Sequence, residues 1–309
     1  MSKRDHILVG LDIGTTKICA IVAEVPEEGP LNIIGVGSCP SRGLRKGVVV
    51  NIESTVESIK KAVEEAELMA AVQINSVYTG IAGSHISGEN LKGVVALKKQ
   101  EVTREDISRA VESARTLAVI PHERRILHVI PREFMVDDQE GVRDPLGMSG
   151  NRLEVNVHVI TGAVTSAQNI IKSVNRAGLD VVDIILQPLA SSEAVLSAEE
   201  RELGVAMVDL GGGTTDLAIF LDGSIRHTAV LPIGGQNLTK DLAIGLLTSQ
   251  TDAEKIKVQH GIARTELVHG HQMVEVPSVG DRPPRQFTRR DIAEILEPRV
   301  EEMFDLVKR

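Results

Sequence analysis

Apolar residues fill Ile7–Ile13 (ILVGLDI) compactly, as in a buried strand. Ile18–Val25 and Ile33–Val36 follow across short turns, which predicts a meander of strands. Apolar positions at 52, 56, 59, 63, 66 and 69–70 are spaced by threes and fours, which predicts an amphipathic helix from Ile52 to Ala71. Val77–Ala82 reads as the strand leaving it. The texture changes between about Gly83 and Gly162. Val94–Leu97 predicts a strand. Thr103 with Asp106 forms a capping-box start for a helix with the face Ile107, Ala110, Val111, Ala114 and Leu117. Ile126–Pro131, Glu133–Val136 and Leu153–Ile160 predict three more strands. This stretch reads as a small α+β insertion between two halves of a first domain.

Thr165–Ala177 predicts a helix stopped at Gly178. Val181–Leu186 is a strand ending in Gln187-Pro188, and Leu189–Leu196 is helical. The opening pattern then returns. Val205–Leu210, Leu217–Leu221 and Ile225–Leu231 are strands, with Asp222-Gly223 as a hairpin turn. Leu238–Leu247 and Ala253–Val258 predict helices. Residues 270–286 are turn-rich, with room for a short strand. Thr288 and Asp291 cap a last helix that Pro298 should kink or split.

A length of 309 residues favours two compact units over one. The balance of 42% hydrophobic and 25% charged residues is that of a globular chain rather than a disordered one. Aromatics make up only 2%, with no Trp, so the core is expected to be Val, Ile, Leu and Ala. The net charge is −9, and stacking platforms are scarce, so no nucleic-acid partner is expected. Cys19 and Cys39 are the two cysteines, too few for a disulfide framework, and a reducing compartment follows. Cys19 is expected to be a buried, inert strand residue. Met1–His6 carries Lys3 and Arg4 without an apolar core, and no apolar run reaches membrane-spanning length, which argues against secretion and spanning. His260, His269 and His271 lack the further ligands of a recognisable metal set.

The informative feature is an internal repeat. Asp12-Ile-Gly-Thr-Thr-Lys17 follows the first strand, and Asp209-Leu-Gly-Gly-Gly-Thr-Thr-Asp216 follows a strand 197 positions later. Each copy is an apolar strand ending in Asp, a Gly/Thr turn and another apolar strand. A glycine turn can aim several backbone N–H groups at one anion, and threonine hydroxyls add donors. A carboxylate at the strand end is suited to hold Mg²⁺ through water. Two such clips could close on one triphosphate. The chain contains no GxxxxGK[ST] P-loop, and a turn leading into a strand fits a Rossmann site poorly.

These motifs resemble the superfamily of actin, heat-shock chaperones and sugar kinases. LDIGTTK is similar to its first phosphate motif, VDLGGGTTD to its second, and DIILQPLASSEAVL to its connecting motif. The resemblance implies an α/β, actin-like (ribonuclease H-like) two-domain fold. Domain IA would span 1–82 and 163–190. An inserted α+β, SHS2-like subdomain (IC) would occupy 83–162. An incomplete second domain (IIA/IIB) would fill 191–309. The resemblance also implies ATP and Mg²⁺ as cofactors. Asp12 and Asp209 would bind the metal through water, and Gln187 would orient an attacking water. Gly14, Thr15, Thr16 and Lys17, with Gly211, Gly212, Gly213, Thr214 and Thr215, would lie on the phosphates. Gly234-Gly235 opens a helix suited to an anion or ribose edge. Glu254 and Lys257, one turn apart, match the ribose and adenine positions of relatives.

Within that superfamily the chain resembles the FtsA family of bacterial cell-division proteins. The likeness runs along essentially the whole sequence, through GLRKGVVVNIESTVESIKKAVEEAE, GSHISGENLKGVVAL, NRLEVNVHVITG and LEPRVEEMFDLV. It implies an ATP-binding protein with at most weak ATPase activity that polymerises and ties the tubulin-like FtsZ ring to the membrane. Later division proteins would bind residues 83–162. Arg299 and Glu302 would contact FtsZ. The expected location is cytoplasmic, and peripheral on the inner membrane's cytoplasmic face at the division site if the full-length C-terminus exists, since membrane contact is expected only through a C-terminal helix missing from this chain. The family pattern continues past Arg309 with a Gly-rich adenosine loop, a closing helix and a terminal lipid-binding helix, so a fragment of a longer protein is expected. A PilM-type pilus-assembly adaptor and a small-molecule kinase are the alternative functions.

Overall fold

The computed structural model describes residues 7–270, 272–280 and 282–309; Met1–His6 and His271 lie outside the described residues. The first half of the chain runs β1 (Ile7–Ile13), β2 (Lys17–Glu24), β3 (Asn32–Pro40), β4 (Leu44–Arg45), β5 (Val48–Val49), α1 (Ile52–Ala70), β6 (Ser76–Ile81), β7 (Ser87–Ala96), α2 (Arg104–Leu117), β8 (Arg124–Val136), β9 (Gln139–Val142) and β10 (Arg152–Ala163). There follow α3 (Val164–Arg176), β11 (Asp180–Leu186), α4 (Gln187–Val195), α5 (Ala198–Leu203), β12 (Val205–Leu210), β13 (Thr215–Leu221) and β14 (Ser224–Leu231). The chain closes with α6 (Gly235–Gly245), α7 (Gln250–His260), β15 (Met273–Val276), β16 (Arg285–Thr288) and α8 (Arg289–Lys308).

Two compact units emerge. One takes in the chain up to Asp209 together with Asp216–Val230; the other is Leu210–Thr215 with Leu231–Arg309. In the first, a five-stranded sheet has the order β11-β6-β1-β2-β3. β1, β2 and β3 pair antiparallel, while β6 and β11 join in parallel. Parallel neighbours need long crossovers, which α1 and the whole 83–163 stretch supply. Alternate residues of β1 and β2 (Val9, Leu11, Ile18, Ala20, Val22) meet Ile59, Ala62 and Val63 of α1 and Ile170 and Val174 of α3 in one core. The opposite face carries Asp12, Cys19 and Ile21. Period-two alternation therefore sets both the core and the functional face.

Residues 83–163 form their own four-stranded antiparallel sheet, β7-β10-β8-β9, with α2 against it. Thr103 and Asp106 do make the reciprocal capping box. The Thr103 hydroxyl and the Arg109 guanidinium hold the Asp106 carboxyl down at about 2. The two predicted strands around Pro131 are one strand: Pro131 sits opposite Val157 beside a register shift, where a missing N–H is tolerated. The other face of this sheet meets the β14 strand through polar groups. His158, 1% exposed, bonds Asn90 Oδ1 at 2.7 Å and Thr228 Oγ1 at 2.9 Å. The first bond puts the ring proton on Nδ1, so Nε2 accepts from the Thr228 hydroxyl. Burial, with Arg132 and His227 nearby, lowers the His158 pKa to about 4.

In the second unit, α6, α7, α8 and the β15–β16 hairpin enclose Leu242, Leu246, Ile256, Val276, Ile292 and Leu296. The α8 helix is continuous through Pro298, which corrects the expected split. The carbonyl that a proline deprives of a partner belongs to the residue four earlier, Glu294, which is exposed and can bond water instead. No helix among the described residues is long and apolar enough to cross a membrane.

Candidate functional site

The first repeat is a tight turn between β1 and β2. Gly14 N–H donates to Lys17 O at 3.0 Å, closing the hairpin. Asp12, near the end of β1 and opposite Cys19, faces away from α1 and α3. Gln187, the first residue of α4, donates its side-chain amide to Asp12 Oδ1 at 2.5 Å. Asp12 still opens to solvent, yet its pKa is raised. Burial of the carboxyl raises it most, the Lys17 charge opposes this, Asp209 adds to it, and the Gln187 amide opposes it again. Asp209 thus lies close enough to Asp12 for their charges to interact, within the first unit. Asp209 Oδ2 accepts from the Ser191 hydroxyl at 2.9 Å. A cavity of about 270 Å³ beside this group is lined by Asp12, Gln187, Ser191, Thr79, Tyr78 and Cys19. Cys19 is only half-buried, which corrects the expectation of a buried residue: Cys19 and Ile21 of β2 face this cavity rather than α1.

The two threonines of the first turn differ. Thr16 is exposed, whereas Thr15 is buried and its hydroxyl accepts from Gly47 N–H at 3.0 Å. Lys17 is exposed at the start of β2.

In the second unit, the Gly211–Thr215 turn is stitched to the start of α6. Gly235 N–H donates to Gly211 O at 2.9 Å and Gln236 N–H to Gly212 O at 2.8 Å. Gly234 is needed for this approach, because a Cβ there would lie 2.6 Å from Gly211 O. Thr215 is fully buried and donates to Ile233 O at 2.8 Å. Thr214 is also buried. Lys257 Nζ reaches Glu254 at 2.8 Å, Thr239 Oγ1 at 3.0 Å and Gly235 O at 3.2 Å, and Thr239 also bonds Glu254. Burial pushes the Glu254 carboxyl up, but the hydrogen bonds from Lys257 and Thr239 outweigh it and the net shift is downward. Glu254, Lys257 and Gly235 therefore meet in one cluster. Arg299 grips Asp241 by Nε at 2.6 Å and Nη2 at 3.2 Å, and also pairs with Glu302. The Asp241 hydrogen bonds hold the guanidinium firmly charged.

No group of three or more His, Cys, Asp or Glu able to hold a metal by themselves occurs among the described residues. The oxygen donors at Asp12 and Asp209 do suit a hard divalent cation. One of the two carboxyls is already strained towards protonation by its setting, a strain that a cation relieves.

Comparison with known proteins adds the family. The profile described as "SHS2 domain inserted in FTSA" matches residues 83–161, and "Cell division protein FtsA" matches 206–307. The cell-division protein FtsA of Pseudomonas aeruginosa is 53% identical over 302 residues, covering 98% of this chain and 72% of that protein. The chain belongs to the FtsA family. FtsA of Escherichia coli is 49% identical over 301 residues, covering 97% of this chain and 71% of its own length. Among solved structures, the PilM-PilN type IV pilus biogenesis complex matches with a TM-score of 0.67 at 18% identity, covering 97% of this chain and 75% of its own. MreB5 of Spiroplasma citri bound to ADP matches with a TM-score of 0.55 at 14% identity, covering 99% and 78%. The fold is thus the actin-like α/β fold with the SHS2 insertion of FtsA.

Three residues of this FtsA-family chain escaped the motif reading. Ser191 had a signal: it lies four positions after Gln187, on the same helix face. Thr239 relates in the same way to Gly235. Thr79, whose hydroxyl donates to Leu11 O at 3.2 Å and braces β1 from β6, had none.

Proposed function

We propose that the chain is an actin-like, nucleotide-binding cell-division protein that binds Mg-ATP through its glycine clips. It turns ATP over slowly, if at all, and assembles with copies of itself. It links FtsZ to the cytoplasmic face of the membrane and recruits later division proteins through residues 83–162. The observation that carries the nucleotide reading is the Asp12–Gln187 bond beside a second carboxylate, Asp209, whose charge Asp12 feels. Mg²⁺ would supply charge neutralisation for the phosphates. Asp12 and Asp209 would hold it through water, and the Gln187 amide would orient a water. Backbone N–H groups of Gly14 and Gly211–Gly213, with Thr16, Thr214 and Lys17, would face phosphate. Gly234, Gly235, Glu254 and Lys257 would face the nucleoside. Such a site acts by positioning and charge, without a covalent intermediate.

Family membership supports FtsZ as the partner. Arg299 and Glu302 would present one charged pair, pre-set by Asp241, to it. We assign 1–82 with 163–190 to domain IA, 83–162 to IC and 191–309 to the second domain. Titration calorimetry with ATP, with and without Mg²⁺, tests the first half of the proposal: binding that strengthens with Mg²⁺ is expected, and no binding overturns it. Co-sedimentation with FtsZ polymers tests the second. Capture by a PilN peptide instead of FtsZ would favour the pilus-adaptor alternative.

A further inference from the structure

The segment 41–51 lies between α1 and the first clip and is fastened to both. At the clip, Ser41 N–H donates to Thr16 O at 2.9 Å and Gly47 N–H donates to the buried Thr15 hydroxyl at 3.0 Å. On the other side, Arg42 N–H donates to Ser58 Oγ and Asn51 caps α1, while Val50 and Asn51 N–H both donate to Gly43 O and close the segment on itself. Gly47 has φ +75, and a Cβ there would lie 3.0 Å from Ala82 O and 3.1 Å from Gly83 Cα. Val48 Cγ2 lies 3.5 Å from where a Gly83 Cβ would stand. Gly83 itself has φ +132 and is the first residue of the matched SHS2 insertion. One segment therefore bears on the clip with one edge and on the root of the insertion with the other.

We propose that 41–51 is a strap that transmits the state of the first clip to the root of the insertion, with Thr15 as its fastener. Thr15 is a positioning residue: its hydroxyl is committed to Gly47, and a ligand that draws in the clip's backbone pulls the strap through that bond and through Thr16 O. The strap then shifts against Ala82–Gly83, where the positive φ of a glycine leaves the backbone free to rotate. The part of this inference that names ATP as the trigger rests on the nucleotide reading above; the mechanical link does not.

Hydrogen–deuterium exchange of the full chain tests it, with peptides covering 41–51 and 81–87. The Ile86 N–H, bonded to Gly83 O at 3.0 Å, reports on the root. In the ligand-free chain, Thr15→Val is expected to speed exchange in both peptides by about 2–10-fold, the equivalent of one lost hydrogen bond. Thr15→Ser, which keeps the acceptor, is expected to restore the native rates. Faster exchange in 41–51 alone, or in neither, overturns the strap. At saturating Mg-ATP the native chain and Thr15→Ser should slow exchange in both peptides, and Thr15→Val only in the clip. Calorimetric binding with no change at 81–87 in the native chain overturns the transmission while leaving the nucleotide reading intact. Absence of binding refutes that reading, and the ligand-free comparison still decides the strap.

Discussion

The two glycine clips share a sequence pattern but not a construction. In the first, a single glycine turns β1 into β2, and the strand-end carboxylate is bonded by an amide, Gln187. In the second, three glycines precede β13, and the strand-end carboxylate accepts from a hydroxyl, Ser191. The hydroxyl assignments differ as well. The first threonine of the first pair anchors a neighbouring segment that still meets water. The second threonine of the second pair is sealed in the core against Ile233 O. A repeat in sequence thus conserves the backbone turn and the carboxylate, and reassigns the side chains around them. The first clip is joined to a partly exposed segment and the second to a packed core. The difference predicts that removing the buried threonine hydroxyl costs more stability in the second clip than in the first.

The largest effect is expected at Gln187. Gln187→Ala should lower single-turnover ATP hydrolysis by about 100-fold, the cost of a misplaced reactant. It also removes the amide that lowers the Asp12 pKa, so that pKa should rise further. NMR titration of the carboxyl separates the two consequences. Unchanged hydrolysis would place the water-orienting group elsewhere.

Next come the carboxylates. Asp12→Asn and Asp209→Asn should each weaken Mg-ATP, but not metal-free ATP, by about 10–100-fold. The raised pKa of Asp12 adds a pH signature. A protonated carboxyl cannot hold the cation, so Mg-ATP affinity should begin to fall on acidification above the ordinary aspartate range. Asp12→Asn should abolish that early fall. An identical pH profile for native and Asp12→Asn chains would remove Asp12 from the metal site.

Much of this was legible in the sequence. Ile7–Ile13, the α1 helix, the Thr103–Asp106 cap and the Asp222-Gly223 hairpin follow directly from apolar period, cap chemistry and turn residues, and the structure repeats them. The ten-residue β7 was expected only at its apolar end, because Gly88, Glu89, Asn90 and Lys92 are polar. They make a strand because β10 pairs with them along its whole length. The α8 helix survives Pro298 because its lost bond faces solvent, a fact of burial that no local pattern carries. The motif residues were legible as a set, and Ser191 through its spacing from Gln187, whereas Thr79 and the Thr15–Gly47 link were not. Their partners are distant in sequence and are brought near only by the sheet order.

The threonines test the stability side. Thr215→Val strands the buried Ile233 carbonyl and should cost about 1–3 kcal/mol in denaturant unfolding. Thr15→Val leaves only the half-buried Gly47 N–H, which water can reach, and should cost about 1 kcal/mol or less. Equal costs would mean that the first clip is as firmly sealed as the second.

The smallest effect is expected at the Glu254–Lys257 pair of the second unit. The Glu254 side chain is 49% exposed, so solvent screens the pair, and Lys257→Met should cost less than about 1 kcal/mol. The sign of its pH dependence is fixed by the direction of the shift. The folded Glu254 pKa lies below its ordinary value of 4.5, so the pair stabilises the fold above pH 4.5 and loses that contribution as pH falls through the depressed value. Unfolding of native and Lys257→Met chains should therefore differ at neutral pH and converge under acid. A nucleotide affinity that drops tenfold in this variant while stability hardly moves would assign Lys257 to the ligand. A stability loss well above 1 kcal/mol with affinity intact would instead assign it to the α6–α7 packing and remove it from the site.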